Sequence, residues 1–280
     1  MSTAANEAAH PSWMSMAVDR MRVELKEFLR SREQMIFIFL FPMMLLVLFG
    51  SIFGEQTVGD PPPGQPAVTF SQYFLAGMIA TGILNTGFQS LAITISIDRD
   101  ADVLKRIYST PLPATAYFAG KLAQVVLVSL VQIAILVGLG VALYDVTLPA
   151  ESGPWLTFAW VFLLGTAASV VLGIATSSLL RNAKAASAIL TPVVLVLQFT
   201  SGVFFVYTQL SSGLQQFAAL FPLKWLAQGM RSVFLPDYFA EQEVAGSWEH
   251  PMTAVVLAAW FVIGLVVSVR TFRWMRPEDS

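Results

Sequence analysis

Cysteine is absent from the 280-residue chain and histidine occurs only twice. Without cysteine there is no disulfide framework, no Cys-ligated zinc and no thiol nucleophile. His10 and His250 sit in opposite polar flanks, so neither a histidine metal cluster nor a Ser-His-Asp set has material to work with. Charge is scarce as well. Asp, Glu, Lys and Arg make up 12% of the residues, hydrophobic residues 56%, and mean hydropathy is +0.67. Ordinary globular domains carry roughly a quarter charged residues. The formal net charge of −2 points to no acidic or basic partner, and to no nucleic acid. The N-terminal stretch is polar, and the apolar run after it lacks a small-residue cleavage pattern, so no cleavable signal is expected.

What the chain does have is long uncharged runs, at 34–54, 61–97, 122–144, 152–180, 185–223 and 250–269. Each reaches the roughly 20 residues that a bilayer-spanning helix needs. This pattern excludes a soluble enzyme, a DNA-binding module and a disordered regulator, and predicts an all-α membrane protein with six transmembrane helices. The predicted spans are Met35–Gly54, a second within Phe70–Ile97, then Leu122–Tyr144, Trp155–Leu180, Ala185 to about Tyr207, and Met252–Val269. Pro42 in the first is tolerable where a neighbour satisfies the carbonyl that it frees. Thr208–Leu223 is too polar and interrupted for a seventh crossing, and reads as a short amphipathic or re-entrant element on the outer side. Three parts follow: a cytoplasmic segment 1–34, a transmembrane domain 35–270 and a tail 271–280.

Basic residues are retained on the cytoplasmic side, and here they cluster. Five precede the first span (Arg20, Arg22, Lys26, Arg30, Arg32) and four follow the second (Arg99, Lys105, Arg106, Lys121). Arg181 and Lys184 follow the fourth span, and Arg270, Arg273 and Arg276 close the chain. The alternate loops hold only Lys224 and Arg231 beside eight carboxylates, among them Glu55, Asp60, Asp145, Glu151 and Asp237. Both termini are therefore expected inside, in the cytoplasmic membrane. Tyr73, Tyr144, Trp155 and Tyr207 fall at the outer span ends, where an aromatic belt belongs. Trp13–Arg32 has helical periodicity, with Ala17, Met21, Leu25, Phe28 and Leu29 on one face, as in an amphipathic helix lying in the inner interface.

No Asp, Glu, Lys, Arg or His falls inside the six predicted spans, which counts against an ion-coupled carrier with an intramembrane relay. Uncharged polar residues are patterned instead. Thr81, Asn85 and Gln89 recur every fourth position on span two; Gln124 and Gln132 share a face of span three; span five carries Thr191, Gln198 and Thr200. They read either as interhelical hydrogen bonds or as a weakly polar translocation path, with Thr81, Asn85, Gln89, Gln132 and Gln198 as the path candidates. Gly165, Ser169, Gly173 and Ser177 form a small-residue stripe on span four that suits close helix packing. Ala134, Gly138 and Ala142 on span three are a candidate facing groove.

The loop 98–113 reads Asp98-Arg99-Asp100-Ala101-Asp102-Val103-Leu104-Lys105-Arg106-Ile107-Tyr108-Ser109-Thr110-Pro111-Leu112-Pro113. Charge fills its first half, Val103, Leu104 and Ile107 make a short apolar face, and Thr110-Pro111 with Pro113 stops any helix. This loop resembles that of the permease subunits of ABC-2 type exporters, which commonly runs Arg-Glu-x-Gly-Thr-Leu-x-x-Leu-x-x-Thr-Pro-Leu. Asp100 stands for the usual Glu and Asp102 for the usual Gly. Phe221-Pro222-Leu223-Lys224-Trp225 through Arg231 is similar to a second stretch of that family, between its last two spans.

The resemblance implies a coupling helix at 98–113, with Arg99, Asp100, Asp102, Leu104, Lys105, Arg106, Tyr108, Thr110 and Pro111 facing a separate ATP-binding subunit. The chain contains no Gly-x-x-x-x-Gly-Lys-Ser/Thr loop, so no catalytic site of its own, no metal and no resident cofactor are expected. ATP and magnesium would be bound by the partner. Two ATPase copies, a second permease copy or paralogue, and membrane lipid are the implied partners. Outward export of a drug-like hydrophobic or amphipathic compound is the expected activity, with a cell-envelope lipid or polysaccharide as the alternative cargo.

Overall fold

A computed structural model describes residues 12–272; His10 and, of the 271–280 tail, residues 273–280 with Arg273 and Arg276 lie outside the described residues. Among the described residues the secondary structure is helical, apart from one isolated antiparallel bridge between Thr57 and Thr69. Six helices are long and apolar enough to cross a bilayer: Arg32–Phe53, Phe70–Asp100, Ala114–Tyr144, Ser152–Leu179, Ala183–Thr200 and His250–Thr271, here spans one to six. The two ends of the bundle differ in charge. The basic end holds the N-terminal helix Trp13–Arg30, the 98–113 loop and the 180–182 turn. The acidic end holds the remaining loops.

Spans two and three are each 31 residues long, about 46 Å at 1.5 Å per residue. They outrun the roughly 30 Å hydrocarbon layer, which is why charged Asp98, Arg99, Asp100 and Lys121 can be helical. Span five is shorter than expected. It ends at Thr200, where Ser201 and the left-handed Gly202 (φ 73°) turn the chain, instead of continuing to Tyr207.

Proline shapes span one. The chain widens into a π-helical turn over Ile36–Leu40, just before Pro42. An α-helix would satisfy the Ile38 carbonyl with the N–H of residue 42, and proline has none. Gln132 of span three supplies the donor, its Nε2 lying 2.7 Å from the Ile38 oxygen. Gly82 of span two makes room for this amide, since a Cβ there would come within 2.7 Å of Gln132 Oε1.

Two short helices, Ser212–Ala219 and Pro222–Phe234, form a hairpin between spans five and six. At its tip, Trp260 Nε1 donates to the Leu220 carbonyl at 2.9 Å and the indole stacks on Phe221. Trp260 lies about 15 Å along span six from His250, so the hairpin dives into the bundle and returns. Every residue of Pro222–Phe234 is buried. Leu223, Leu226, Ala227 and Met230 pack there with Phe74, Met78, Val161 and Leu257 in the main core.

Three expectations need correction. Tyr73 and Tyr207 do not form a lipid-facing belt: both are buried, and the Tyr73 hydroxyl accepts the Tyr207 N–H at 3.0 Å. Trp155 does stay exposed. Ala134, Gly138 and Ala142 are exposed rather than grooved against span four, and nothing lies within 4 Å of where a Gly138 side chain would begin. The N-terminal helix buries Ala17, Glu24 and Phe28 against span three, while Leu29, assigned to its apolar face, is exposed. The docking point is Gly120, where an added Cβ would come within 2.8 Å of the Arg20 side chain.

Candidate functional site

The 98–113 loop is a rigid corner. Span two ends at Asp100, Ala101 and Asp102 turn the chain, and a short helix follows at Val103–Tyr108. Asp102 has φ 56°, a left-handed conformation that glycine adopts freely and Asp tolerates better than most residues. This explains geometrically why Asp can stand where the similar loops carry Gly. Arg106 Nη2 donates to the Ala101 carbonyl at 3.1 Å and braces the corner. At the far end, Thr110 Oγ1 donates to the Ile107 carbonyl at 2.6 Å and Ser109 Oγ to that of Arg106 at 2.7 Å, before the prolines stop the helix.

The nine residues expected to face a partner divide into three groups. Leu104 is fully buried among Leu91, Ile95, Tyr117 and Val170, and anchors the short helix to its own chain. Arg99 and Asp100 bond within the chain, Arg99 Nη1 to the Ser177 carbonyl at 2.6 Å and Asp100 Oδ2 to the Ala183 N–H at 2.9 Å. Asp102, Lys105, Arg106, Tyr108, Thr110 and Pro111 are exposed, Tyr108 at 58%.

Behind the loop lies a buried ionic cluster that the sequence pattern did not reveal. Lys121 Nζ sits 2.8 Å from Glu24 Oε1 and 3.3 Å from Asp98 Oδ2, and is itself wholly buried. Arg20 pairs with the same Glu24. Arg20 and Lys121 both approach the Tyr117 ring, at 4.8 and 5.2 Å. One carboxylate thus ties the N-terminal helix to span three, and Asp98 ties in span two. Burial of these charges is tolerable because each meets an opposite one. The helical spacing of Arg20 and Glu24, one turn apart on the face of Ala17 and Phe28, was the available signal.

Midway along the bundle, spans two and five share a polar seam. Gln89 Nε2 donates to Thr191 Oγ1 at 3.0 Å, and Gln198 Nε2 lies 3.5 Å from Asn85 Oδ1. Asn85 and Gln89 fall within a π-helical turn, Asn85–Ser90, which shifts the register of the fourfold stripe. Thr81, one turn earlier, is buried in the core and its hydroxyl has no partner there. Gln198 is buried, Asn85 and Gln89 are half-buried, and Thr191 is exposed. Gln132 lies apart from the seam, on the Ile38 carbonyl.

The span-four stripe meets two partners. Gly165 faces Leu226 of the hairpin, while Ser169 and Gly173 face Gly87 and Phe88 of span two, where a Cβ on Gly173 would come within 2.6 Å of the Gly87 carbonyl. Ser177 is fully buried and its carbonyl receives Arg99.

A second ionic cluster lies at the acidic end. Arg231 is fully buried, donates to Glu243 through Nε at 2.6 Å and Nη2 at 3.1 Å, and faces the Tyr73 ring at 5.0 Å. Lys224 sits 3.5 Å from Glu249 and 3.4 Å from the Trp225 ring centroid. Burial pulls the Lys224 ammonium down to about 8, with Glu249 opposing the shift. Gln228 holds the Ser247 and Trp248 carbonyls. The sequence marks this stretch as a motif, but the carboxylates that it meets are distant in the chain.

Six helices long and apolar enough to cross a membrane, with a short helix exposing basic Lys105 and Arg106 at one end, form the frame of these sites. The ABC-2 type transporter model matches residues 21–235. The chain therefore belongs to the ABC-2 type transporter family and is a permease subunit of an ABC transport system. In this family the membrane component normally works with an ABC ATP-binding subunit, to which ATP hydrolysis belongs. No curated protein matches the sequence.

Proposed function

We propose that this chain exports a hydrophobic or amphipathic, drug-like compound across the cytoplasmic membrane, with both termini inside. Two copies, or one copy and a paralogue, form the pore-bearing unit with two ATP-binding subunits. The exposed side of the short helix (Asp102, Lys105, Arg106, Tyr108, Thr110, Pro111) docks on the ATPase, and Leu104 fastens that helix to the permease. The N-terminal helix, pinned through Glu24 and Lys121, rides on the same end. ATP binding closes the ATPases and tilts the short helices, and the two six-helix halves rock and expose the compound outward.

The observation that carries this reading is the seam between spans two and five. Thr191 and Gln89 form a hydrogen-bonded polar pair at mid-bundle depth, on a face open to the outside of the protomer. The pair satisfies its own hydrogen bond between the two helices, and its exposure leaves the remaining polar atoms available to a cavity or a second protein. A second permease copy across this face would enclose a weakly polar, charge-free path. That lining suits an amphipathic solute better than an ion.

Because the chain lacks cysteine, single cysteines report orientation directly. Thr57→Cys and Ser152→Cys should react with an impermeant maleimide from outside the cell, and Ser109→Cys should not. Inside-out vesicles carrying the permease with its ATPase should then accumulate a fluorescent amphiphile only when ATP is supplied. The reverse labelling pattern, or accumulation indifferent to ATP, contradicts the proposal.

A further inference from the structure

Two neighbouring residues at the end of span two hold two different helices by their ends. The last four carbonyls of a helix and its first N–H groups have no partner within it. Span four ends at Leu179, and its Ser177 carbonyl takes the Arg99 guanidinium at 2.6 Å. Span five begins at Ala183, and its N–H donates to the Asp100 carboxylate at 2.9 Å. Asn182 caps the same helix start by accepting the Ala185 N–H at 2.8 Å. The signs match the helix dipoles, with a cation at a C-terminus and an anion at an N-terminus.

This clamp adjoins the corner that carries the short helix. Arg106 ties that helix back to Ala101, and Leu104 ties it to Ile95 and Tyr117. Span two, the corner and the short helix are thus joined as one body whose last residues grip spans four and five. Span five leaves more of its surface outside the bundle than spans two and four do. It also carries Thr191 and Gln198, the far side of the polar seam.

We propose that Arg99 and Asp100 are positioning residues that transmit displacement of the short helix to spans four and five, with Asp100 moving span five against the seam. This rests on the reading of the chain as an ATP-coupled permease. In consequence the Arg99-Asp100 pair does its work inside the permease, and the contact with the ATPase begins at Asp102.

The test uses the full chain assembled with its ATP-binding subunit in lipid vesicles. A single cysteine replaces Ser187, which is exposed on span five, and its maleimide reaction rate is measured without nucleotide and with ATP plus vanadate. The parent should change rate by about fivefold or more, the lower end of ordinary coupling between sites. Asp100→Ala and Arg99→Gln should lose that change while keeping the nucleotide-free rate, and Asp100→Glu should retain it. Asp100→Asn keeps an acceptor without the charge, should respond less than the parent, and carries the test where Asp100→Ala fails to insert. A full nucleotide response in Asp100→Ala or Asp100→Asn overturns the proposal. So does a parent that binds the ATPase yet shows no change at Ser187. Failure of any ATP-binding subunit to associate overturns the underlying reading instead.

Discussion

Removing the Gln132 side-chain amide should destabilise the protein, and removing Pro42 as well should give much of that stability back. Gln132→Leu keeps nearly the same volume but deletes the donor that lies 2.7 Å from the Ile38 carbonyl. Both partners are buried, Gln132 at 2% and Ile38 at 8% exposure. Stranding a buried carbonyl costs about 1–3 kcal/mol, whereas interhelical hydrogen bonds in membranes average nearer ~0.6 kcal/mol. The Ile38 carbonyl has lost its ordinary donor to proline, so the higher range applies and about 1–2 kcal/mol is expected. Pro42→Ala restores an N–H one helical turn away. In the double variant that N–H satisfies Ile38 and the Gln132→Leu cost should fall to below about 0.5 kcal/mol, the additivity limit for uncoupled sites. Thermal or denaturant unfolding of the four proteins of this cycle in detergent micelles measures the coupling. Strict additivity of the two substitutions would refute the idea that Gln132 replaces the proline's missing donor.

Other substitutions test other contacts. Asp102→Gly should be neutral or stabilising in thermal unfolding, while Asp102→Val should cost about 1–2 kcal/mol, because the left-handed corner crowds a branched Cβ. Arg231→Met leaves Glu243 buried without its cation, so unfolding midpoints should register a loss of about 3–5 kcal/mol. Lys224 titrates near 8 when folded but at 10.5 when free, so between those values the unfolded chain binds the extra proton. Unfolding free energy should therefore rise with pH across that window, and Lys224→Met should flatten the rise. Tyr108→Glu should abolish co-purification with the ATP-binding subunit, whereas Leu104→Asp should lower the unfolding midpoint, since it places a carboxylate in the cluster of Leu91, Ile95 and Tyr117.

The spans were legible because lipid excludes charge, and six charge-free runs stand out without any knowledge of packing. Their ends were not, since spans two and three continue past the apolar layer into charged turns such as Asp98–Asp100. The short helix of the 98–113 loop was legible from its Thr-Pro-Leu-Pro stop. Which of its faces points inward depends on the corner at Asp102, a backbone conformation that no periodicity encodes. The same limit explains Tyr73 and Tyr207. An amphipathic aromatic residue at a span end suits a lipid interface, but the hairpin covers these two with Arg231 and Lys224. Long-range ion pairs were hidden for a related reason. Glu24 and Lys121 are nearly a hundred positions apart, and only the docking of the N-terminal helix at Gly120 brings them to 2.8 Å.

The most direct measurement of the central claim places a photo-crosslinking residue at Tyr108 of the full chain in its native membrane, with the same residue at Thr57 as control. Mass spectrometry of the adducts should identify a P-loop ATP-binding polypeptide joined at position 108 and absent from position 57. An ATP-binding polypeptide captured at 57 instead, or none at 108, would contradict the account.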